Sequence, residues 1–233
     1  MIRPAANALA VALLGVVLAG LVAGHSEPET LRSLAKTYIT MAPQELATPN
    51  VVTAILLNYR AFDTLGEVAV LFMVAAGIGL VLGGRGEPRD ALPAREPEPT
   101  VASSEIVRSG AALLFPLISI FAAYIIMNGH LSAGGGFQGG AVLASGVMLL
   151  LLARPGYPLD VGFLSTTESL AGVLLVVTGL AGLIFAGGFL DSRVLPLGQF
   201  GSFFSAGAIP VLSVLLGIKV GCELSVIIDQ FRR

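Results

Sequence analysis

The feature that most constrains this fold is a glycine-rich break, residues 128–140 (NGHLSAGGGFQGG), between two long apolar runs. Lipid cannot hydrogen-bond exposed backbone, so an irregular segment at membrane depth persists only inside protein or beside water. Glycines permit positive φ and let helices approach closely. We therefore expect one helix to end and another to begin at a structural corner built from Gly134, Gly135, Gly136, Gly139 and Gly140.

The composition is that of a membrane protein. Hydrophobic residues make up 55% of the chain and charged residues 12%, whereas soluble domains average about 25% charged residues. A span needs roughly 20 apolar residues. The fold class we predict is all-α, a polytopic membrane protein with about six transmembrane helices. They are residues 5–24, 65–84, 107–127, 139–153, 169–189 and 200–221.

The same composition argues against several functions. A net charge of −2 gives no basis for nucleic-acid binding. The single cysteine, Cys222, has no Cys or His neighbour at metal-ligand spacing, and we interpret it as a small apolar filler. GGGFQGG lacks the Lys-Ser/Thr ending of a phosphate loop. We therefore expect no catalytic, metal or cofactor site in this chain alone.

Basic residues predict the orientation in the membrane. We interpret the first apolar run as a retained span, because it is long for a signal peptide. With the amino terminus inside, twelve basic residues divide eight against four, which favours two cytoplasmic termini in the cell membrane. The inner set is Arg3, Arg85, Arg89, Arg95, Arg108, Arg154, Arg232 and Arg233. The outer set is Arg32, Lys36, Arg60 and Arg193.

Residues 84–104 form a long polar segment with four prolines and charges of both signs. Such a segment cannot bury a core and is typical of an extended linker. It divides the chain into a two-span module, residues 1–83, and a four-span module, residues 105–233. We expect the linker to be cytoplasmic.

Two stretches resemble known proteins. The run NGHLSAGGGFQGGAVLASGVMLLLLARP resembles the signature of the B subunit (MnhB/MrpB) of Mrp-type multisubunit cation/proton antiporters, and the likeness extends over about residues 104–231. NVVTAILLNYRAFDTLGE, residues 50–67, resembles the end of the large A subunit of the same antiporters. It also resembles a small separate subunit of membrane-bound hydrogenases.

The resemblance implies an accessory membrane subunit of a complex that exchanges Na⁺ for H⁺, with other membrane subunits and the lipid bilayer as partners. The alternative it implies is the equivalent subunit of a redox-driven complex of the membrane-bound hydrogenase type. There the module would help to couple electron transfer to ion movement, as a non-catalytic part of an oxidoreductase.

Residues 48–67 carry the first group of candidate site residues. Thr48 followed by proline is typical of a helix start, so we expect Thr48 to cap a short helix that follows. Arg60, Asp63 and Glu67 share one face of a continuous helix. Two interpretations stay open: Thr64 and Glu67 form a capping box for the next span and the carboxylates dock a neighbouring subunit, or the carboxylates belong to an ion path.

Three further candidates lie in the second module. His130 either hydrogen-bonds a carbonyl at the helix end or lines a hydrated path. Lys219 and Glu223, four residues apart, either pair near the interface with Lys219 snorkelling or form an interior polar row. Glu168 follows Ser165 at capping spacing and is expected to cap its span. Pro210 is expected to kink the last helix.

Overall fold

The computed structural model describes residues 2–25, 30–82 and 104–232, and within them the chain forms eight α-helices and no strand. The chain also contains a π-helical turn, Ile55–Tyr59, and a short 3₁₀ turn, Ser192–Val194. The helices are α1 Ile2–Ala23, α2 Ser33–Leu46, α3 Val51–Ala54, α4 Ala61–Leu82, α5 Glu105–Met127, α6 Gly136–Ala153, α7 Val161–Phe185 and α8 Ile209–Arg232.

Among the described residues, the five helices α4 to α8 are long and apolar enough to cross a membrane. A shorter apolar stretch, Asn7–Ala23, lies within α1. These six segments confirm the predicted all-α polytopic membrane protein. The bounds of two helices differ most from the predicted spans. α7 begins eight residues earlier, because the Asp160 carboxylate caps it by accepting from the Phe163 N–H at 2.9 Å. α8, Ile209–Arg232, begins nine residues later than the predicted span 200–221.

The chain divides into two compact units, Met1–Thr37 and Tyr38–Arg233. The first contains α1, and the second contains the packed helices α4 to α8. The predicted linker, residues 84–104, lies outside the described residues except for Ser104, whose hydroxyl caps α5 by accepting from the Val107 N–H. The division into two modules at this linker stays a prediction.

The core of the second unit forms around α8. This helix packs against α4, α5, α6 and α7, and 67% of its most apolar 18-residue stretch is buried. One face presents Leu212, Leu216 and Val220, each at most 3% exposed. Because four helices cover α8, its polar side chains have to be satisfied inside the protein.

Pro210 does not kink α8, so that prediction is wrong. The helix begins at Ile209, which places Pro210 in the first turn and not in the interior. A proline is tolerated there because the first N–H groups of a helix have no partner within it.

Substitution of Gly140 tests the contact between α6 and α8. A Cβ at this position would lie 2.8 Å from both the Gly217 carbonyl oxygen and the Val220 Cβ. We expect Gly140→Ala to lower the free energy of unfolding by roughly 1–3 kcal/mol, as overpacking does. Thermal denaturation in detergent measures this effect. Gly110→Ala is the matched control, since a Cβ there meets nothing within 4 Å; equal behaviour of the two variants would contradict the close contact.

Candidate functional site at the glycine-rich corner

The glycine-rich break forms a tight corner between α5 and α6. α5 ends at Met127, and α6 begins at Gly136. Gly135 has a φ of 146°, which favours glycine, and its N–H donates to the Ile125 carbonyl at 3.2 Å. The chain thus reverses within a few residues while one of its amides is satisfied by the preceding helix.

The glycines also bring backbones into contact. A Cβ on Gly139 would lie 2.8 Å from the Ala122 carbonyl oxygen of α5, and one on Gly136 would lie 2.8 Å from the Leu216 Cβ of α8. Side chains at these positions would push α6 away from both neighbours. The first turns of α6 therefore pack directly against α5 and α8.

Residues 48–53 bind the corner through its carbonyl groups. The Thr48 hydroxyl donates to the His130 carbonyl at 2.5 Å, and the Thr53 hydroxyl donates to the Gly129 carbonyl at 2.7 Å. The Asn50 side-chain amide donates to the carbonyls of Gly129 and Ser132, both at 2.7 Å. Buried carbonyls without a helical partner are costly, so these bonds join the two segments.

The prediction that Thr48 caps the short helix is wrong. Asn50 is the cap of α3, and its side-chain oxygen accepts from the Thr53 N–H at 3.2 Å. Thr48 is fully buried because its hydroxyl is used at the corner instead. A local capping pattern does not distinguish these two uses of a threonine.

The short helix continues as a π-helical turn, which widens the backbone spacing. The Arg60 N–H donates to the Ile55 carbonyl at 2.7 Å, five residues back. The Leu56 carbonyl accepts from the Thr64 hydroxyl at 2.6 Å. Single π turns within helices are frequent at functional sites.

Thr64 and Glu67 do not form a capping box, so that part of the first interpretation is wrong, and docking of a neighbouring subunit by the carboxylates stays a prediction. α4 begins at Ala61, which places Thr64 inside the helix and directs its hydroxyl to the preceding π turn. Asp63 lies in the first turn of α4 and pairs with Arg60 at 2.5 Å on an exposed surface. Glu67 is left without a capping role and is exposed.

Glu67 lines a cavity of about 340 Å³ between residues 53–67 and the glycine-rich corner. The π turn and the start of α4 form one side, and the corner glycines and the start of α6 form the other. The residues are Thr53, Leu56, Leu57, Thr64, Glu67, Gly134, Gly135, Gly136, Phe137, Gln138 and Leu216. The lining is largely apolar, and the carboxylate of Glu67 lies in it beside the hydroxyl groups of Thr53 and Thr64 and the amide of Gln138.

His130 is not among the residues that line this cavity. It is 1% exposed, and its Nε2 lies 3.1 Å from the Phe203 carbonyl, to which it donates. Burial lowers the pKa of the imidazole, so it is held in the neutral form near pH 7. The structure agrees with the first interpretation of His130, in which the imidazole hydrogen-bonds a carbonyl group.

The second group of candidates lies between α7 and α8. The Lys219 ammonium is 2.8 Å from a Glu168 oxygen and 3.3 Å from a Glu223 oxygen. The spacing to Ser165 predicted that Glu168 caps α7. That prediction is wrong, because Asp160 is the cap of this helix. Lys219 does not snorkel either: it is 6% exposed, and it belongs to an interior polar row.

Sequence reasoning missed the residues that join the two segments. Asn50 and Thr53 have no charge and follow an ordinary helix start. Asn58, in the π turn, accepts from the Ser192 N–H and hydroxyl at 2.9 and 2.8 Å, a contact 134 residues away. The one available signal was the excess of Thr and Asn beyond what a single cap requires.

Two family models match the chain. The model described as a domain related to the MnhB subunit of Na⁺/H⁺ antiporter matches residues 106–226. The MbhE model, which describes the E subunit of MBH, matches residues 2–93. The first match covers more than half of the chain, so the protein belongs to the MnhB-related family of membrane proteins. Both resemblances drawn from the sequence are confirmed.

Curated relatives share both parts. The chain is 31% identical over 197 residues to the uncharacterised protein MJ1307 of Methanocaldococcus jannaschii, covering 76% of this chain and 74% of that protein. It is 28% identical over 218 residues to a probable A/B subunit of a K⁺/H⁺ antiporter from Rhizobium meliloti, covering 81% of this chain. The match spans 20% of that relative's own length.

Two solved structures are similar over nearly the whole chain. A chain of the membrane-bound sulfane sulfur reductase (MBS), an archaeal respiratory membrane complex, matches with a TM-score of 0.79 and 35% identity, covering 99% of this chain and 98% of that chain. A chain of the Mrp complex from Dietzia sp. DQ12-45-1b matches with a TM-score of 0.73 and 25% identity, covering 98% of this chain and 26% of that chain.

Proposed function

We propose that this protein is an accessory membrane subunit of a redox-driven respiratory complex, in which it belongs to a module of the Mrp cation/proton antiporter type. The observation that carries the proposal is the end-to-end match to one chain of an archaeal respiratory membrane complex, 99% of this chain against 98% of that chain. Both parts of the sequence are therefore matched within a single chain of that complex.

The second candidate is a subunit of a freestanding antiporter. It is favoured by the relative named as part of a K⁺/H⁺ antiporter and by the fold shared with a chain of the Mrp complex. In both cases this chain aligns with about a quarter or less of a much longer protein. We rank this candidate second because the match to the chain of the respiratory complex covers nearly all of both chains, with 35% identity.

Within either complex we assign the cavity at the glycine-rich corner to the ion path, with Glu67 as its ionisable group. The support is geometric: Glu67 has no capping role, and it lines the cavity of about 340 Å³ together with Thr53, Thr64 and the corner glycines. An ionisable residue close to the membrane marks an ion or proton path by default. Na⁺ and H⁺ are the ions we propose.

The setting that we propose is the cell membrane, with both termini in the cytoplasm and residues 84–104 as a cytoplasmic linker between the two modules. The eight-to-four distribution of basic residues supports this orientation. The exposed apolar side chains on α4, α5 and α7 are then available to other membrane subunits and to lipid.

Copurification separates the two candidates. An affinity tag on this chain, used in mild detergent, should recover membrane antiporter-like subunits together with iron–sulfur or other redox subunits. The partners are identified by mass spectrometry, with a tagged unrelated membrane protein as the control. Recovery of antiporter-like membrane subunits alone would contradict the redox assignment and favour the freestanding antiporter.

Substitution of Glu67 tests the assignment of the cavity. Gln keeps the size of the side chain but removes the titrating group, so Glu67→Gln should reduce coupled ion movement as strongly as Glu67→Ala, by roughly 100-fold if a positioned proton-transfer group is lost. The measurement is proton and cation movement by the assembled complex in vesicles across pH. Complex abundance is the first control, and Glu105→Gln, at an exposed carboxylate, is the second. Near-normal activity of Glu67→Gln beside a damaged Glu67→Ala would show a structural role instead.

A further inference from the structure

A second set of ionisable side chains lies apart from the glycine-rich corner, buried between α7 and α8. Lys219 and Glu223 lie one turn apart on α8, and Glu168 faces them from α7. The Lys219 ammonium contacts both carboxylates, at 2.8 and 3.3 Å. Glu223 is 0% exposed and Lys219 6% exposed, so the set, here called the buried triad, lies inside the protein.

The charges of the buried triad do not balance when all three groups are ionised. Two carboxylates and one ammonium leave one excess negative charge, and burying an uncompensated charge is costly. Neither oxygen of Glu223 has a well-placed hydrogen-bond donor in the described part of the chain. This carboxyl group is therefore the one left without enough partners.

Among the described contacts, the surroundings of the buried triad supply no further positive charge. α4 contributes the ring of Phe72, whose centroid lies 5.8 Å from the Lys219 ammonium, and α6 carries no ionisable residue. The neighbouring thiol of Cys222, which is buried on α8, can add only negative charge. A bound positive charge is thus needed to complete the balance.

The buried triad also has an opening. A cavity of about 390 Å³ is lined by Glu168, Lys219 and Phe72 together with residues of α7. The Glu168 side chain is 12% exposed and the Glu223 side chain 0%. Glu168 therefore lies on the cavity side of the buried triad, and Glu223 lies on the closed side.

We propose that the buried triad is a proton-exchange site, in which Glu223 holds one proton that enters and leaves through Glu168 and the cavity beside it. The Lys219 ammonium already occupies the position between the carboxylates that a metal cation would take, so the missing positive charge is a proton. With the proton bound the buried triad is neutral, and without it the net charge is −1.

The exchange step is a simple proton transfer. One N–H bond of the Lys219 ammonium breaks as its proton passes to the Glu168 carboxylate, and the O–H bond of the Glu223 carboxyl group breaks as that proton passes to the Lys219 amine. The O–H bond on Glu168 then breaks in turn, and a water molecule in the cavity takes the proton as hydronium. No electron moves, and Lys219 is an ammonium before and after the exchange, so that it stabilises whichever carboxylate is ionised.

This role in ion movement rests on the function proposed above, but protonation of the buried triad can be measured without it. Infrared difference spectra of the purified complex, in H₂O and D₂O, report the C=O stretch of a protonated carboxyl group. We expect Glu223→Gln to lose one such band near neutral pH. Lys219→Gln should gain a second, since both carboxyl groups must then be neutral. Glu105→Gln, at an exposed carboxylate, should lose none.

Proton movement by the same complex in vesicles then tests exchange. We expect Glu223→Gln to lower it by roughly 100-fold at normal complex abundance, and Glu105→Gln to leave it unchanged. Glu223→Gln leaves Glu168 and Lys219 as a balanced pair, so assembly should survive. Glu168→Gln is the second variant: Lys219 and Glu223 then balance, and the carboxyl band should disappear. A spectrum of Glu223→Gln identical to that of Glu105→Gln would overturn the proposal, as would full proton movement without Glu223.

Discussion

The backbone carbonyls of the corner between α5 and α6 must find hydrogen-bond donors inside the protein, and much of the architecture depends on this requirement. The carbonyls of Gly129, His130 and Ser132 accept from the side chains of Thr48, Asn50 and Thr53. These donors belong to a segment about 80 residues earlier in the chain. A break that ends one helix and starts another therefore fixes the position of a distant element.

The same contacts create the cavity at the corner. Residues 48–53 lead directly into the π turn, and the π turn leads into α4, so the corner determines where Glu67 lies. Because the glycines of α6 bring it against α5 and α8, the space that remains is on the side of α4. The two stretches that resemble different subunits of one class of complex thus line one cavity. This shared cavity supports an ion path, rather than two stretches that only anchor the chain in the membrane.

Sequence patterns predicted the helices well, because a span depends on local apolar composition. They predicted the roles of single polar residues poorly, because those roles depend on distant partners. The spacing of Lys219 and Glu223 indicated a local pair, whereas Glu168, 51 residues away in sequence, could not be assigned to it. The Ser165 and Thr64 spacings both suggested caps that the structure places elsewhere, since Asp160 and the π turn define those helix starts. The glycines of the corner were predicted correctly, because positive φ and close helix approach require glycine and a run of glycines is visible in the sequence.

Hydrogen exchange at the corner tests most directly whether residues 48–53 hold it. Thr53→Val keeps the shape of the side chain but removes the donor to the Gly129 carbonyl, at a cost of roughly 1 kcal/mol. We predict about fivefold faster amide exchange in residues 128–135 of the assembled complex. Thr178→Val, which removes a hydroxyl bonded only within α7, should leave that exchange unchanged. Equal exchange at the corner in Thr53→Val and in the unmodified protein would contradict the dependence of the corner on these donors.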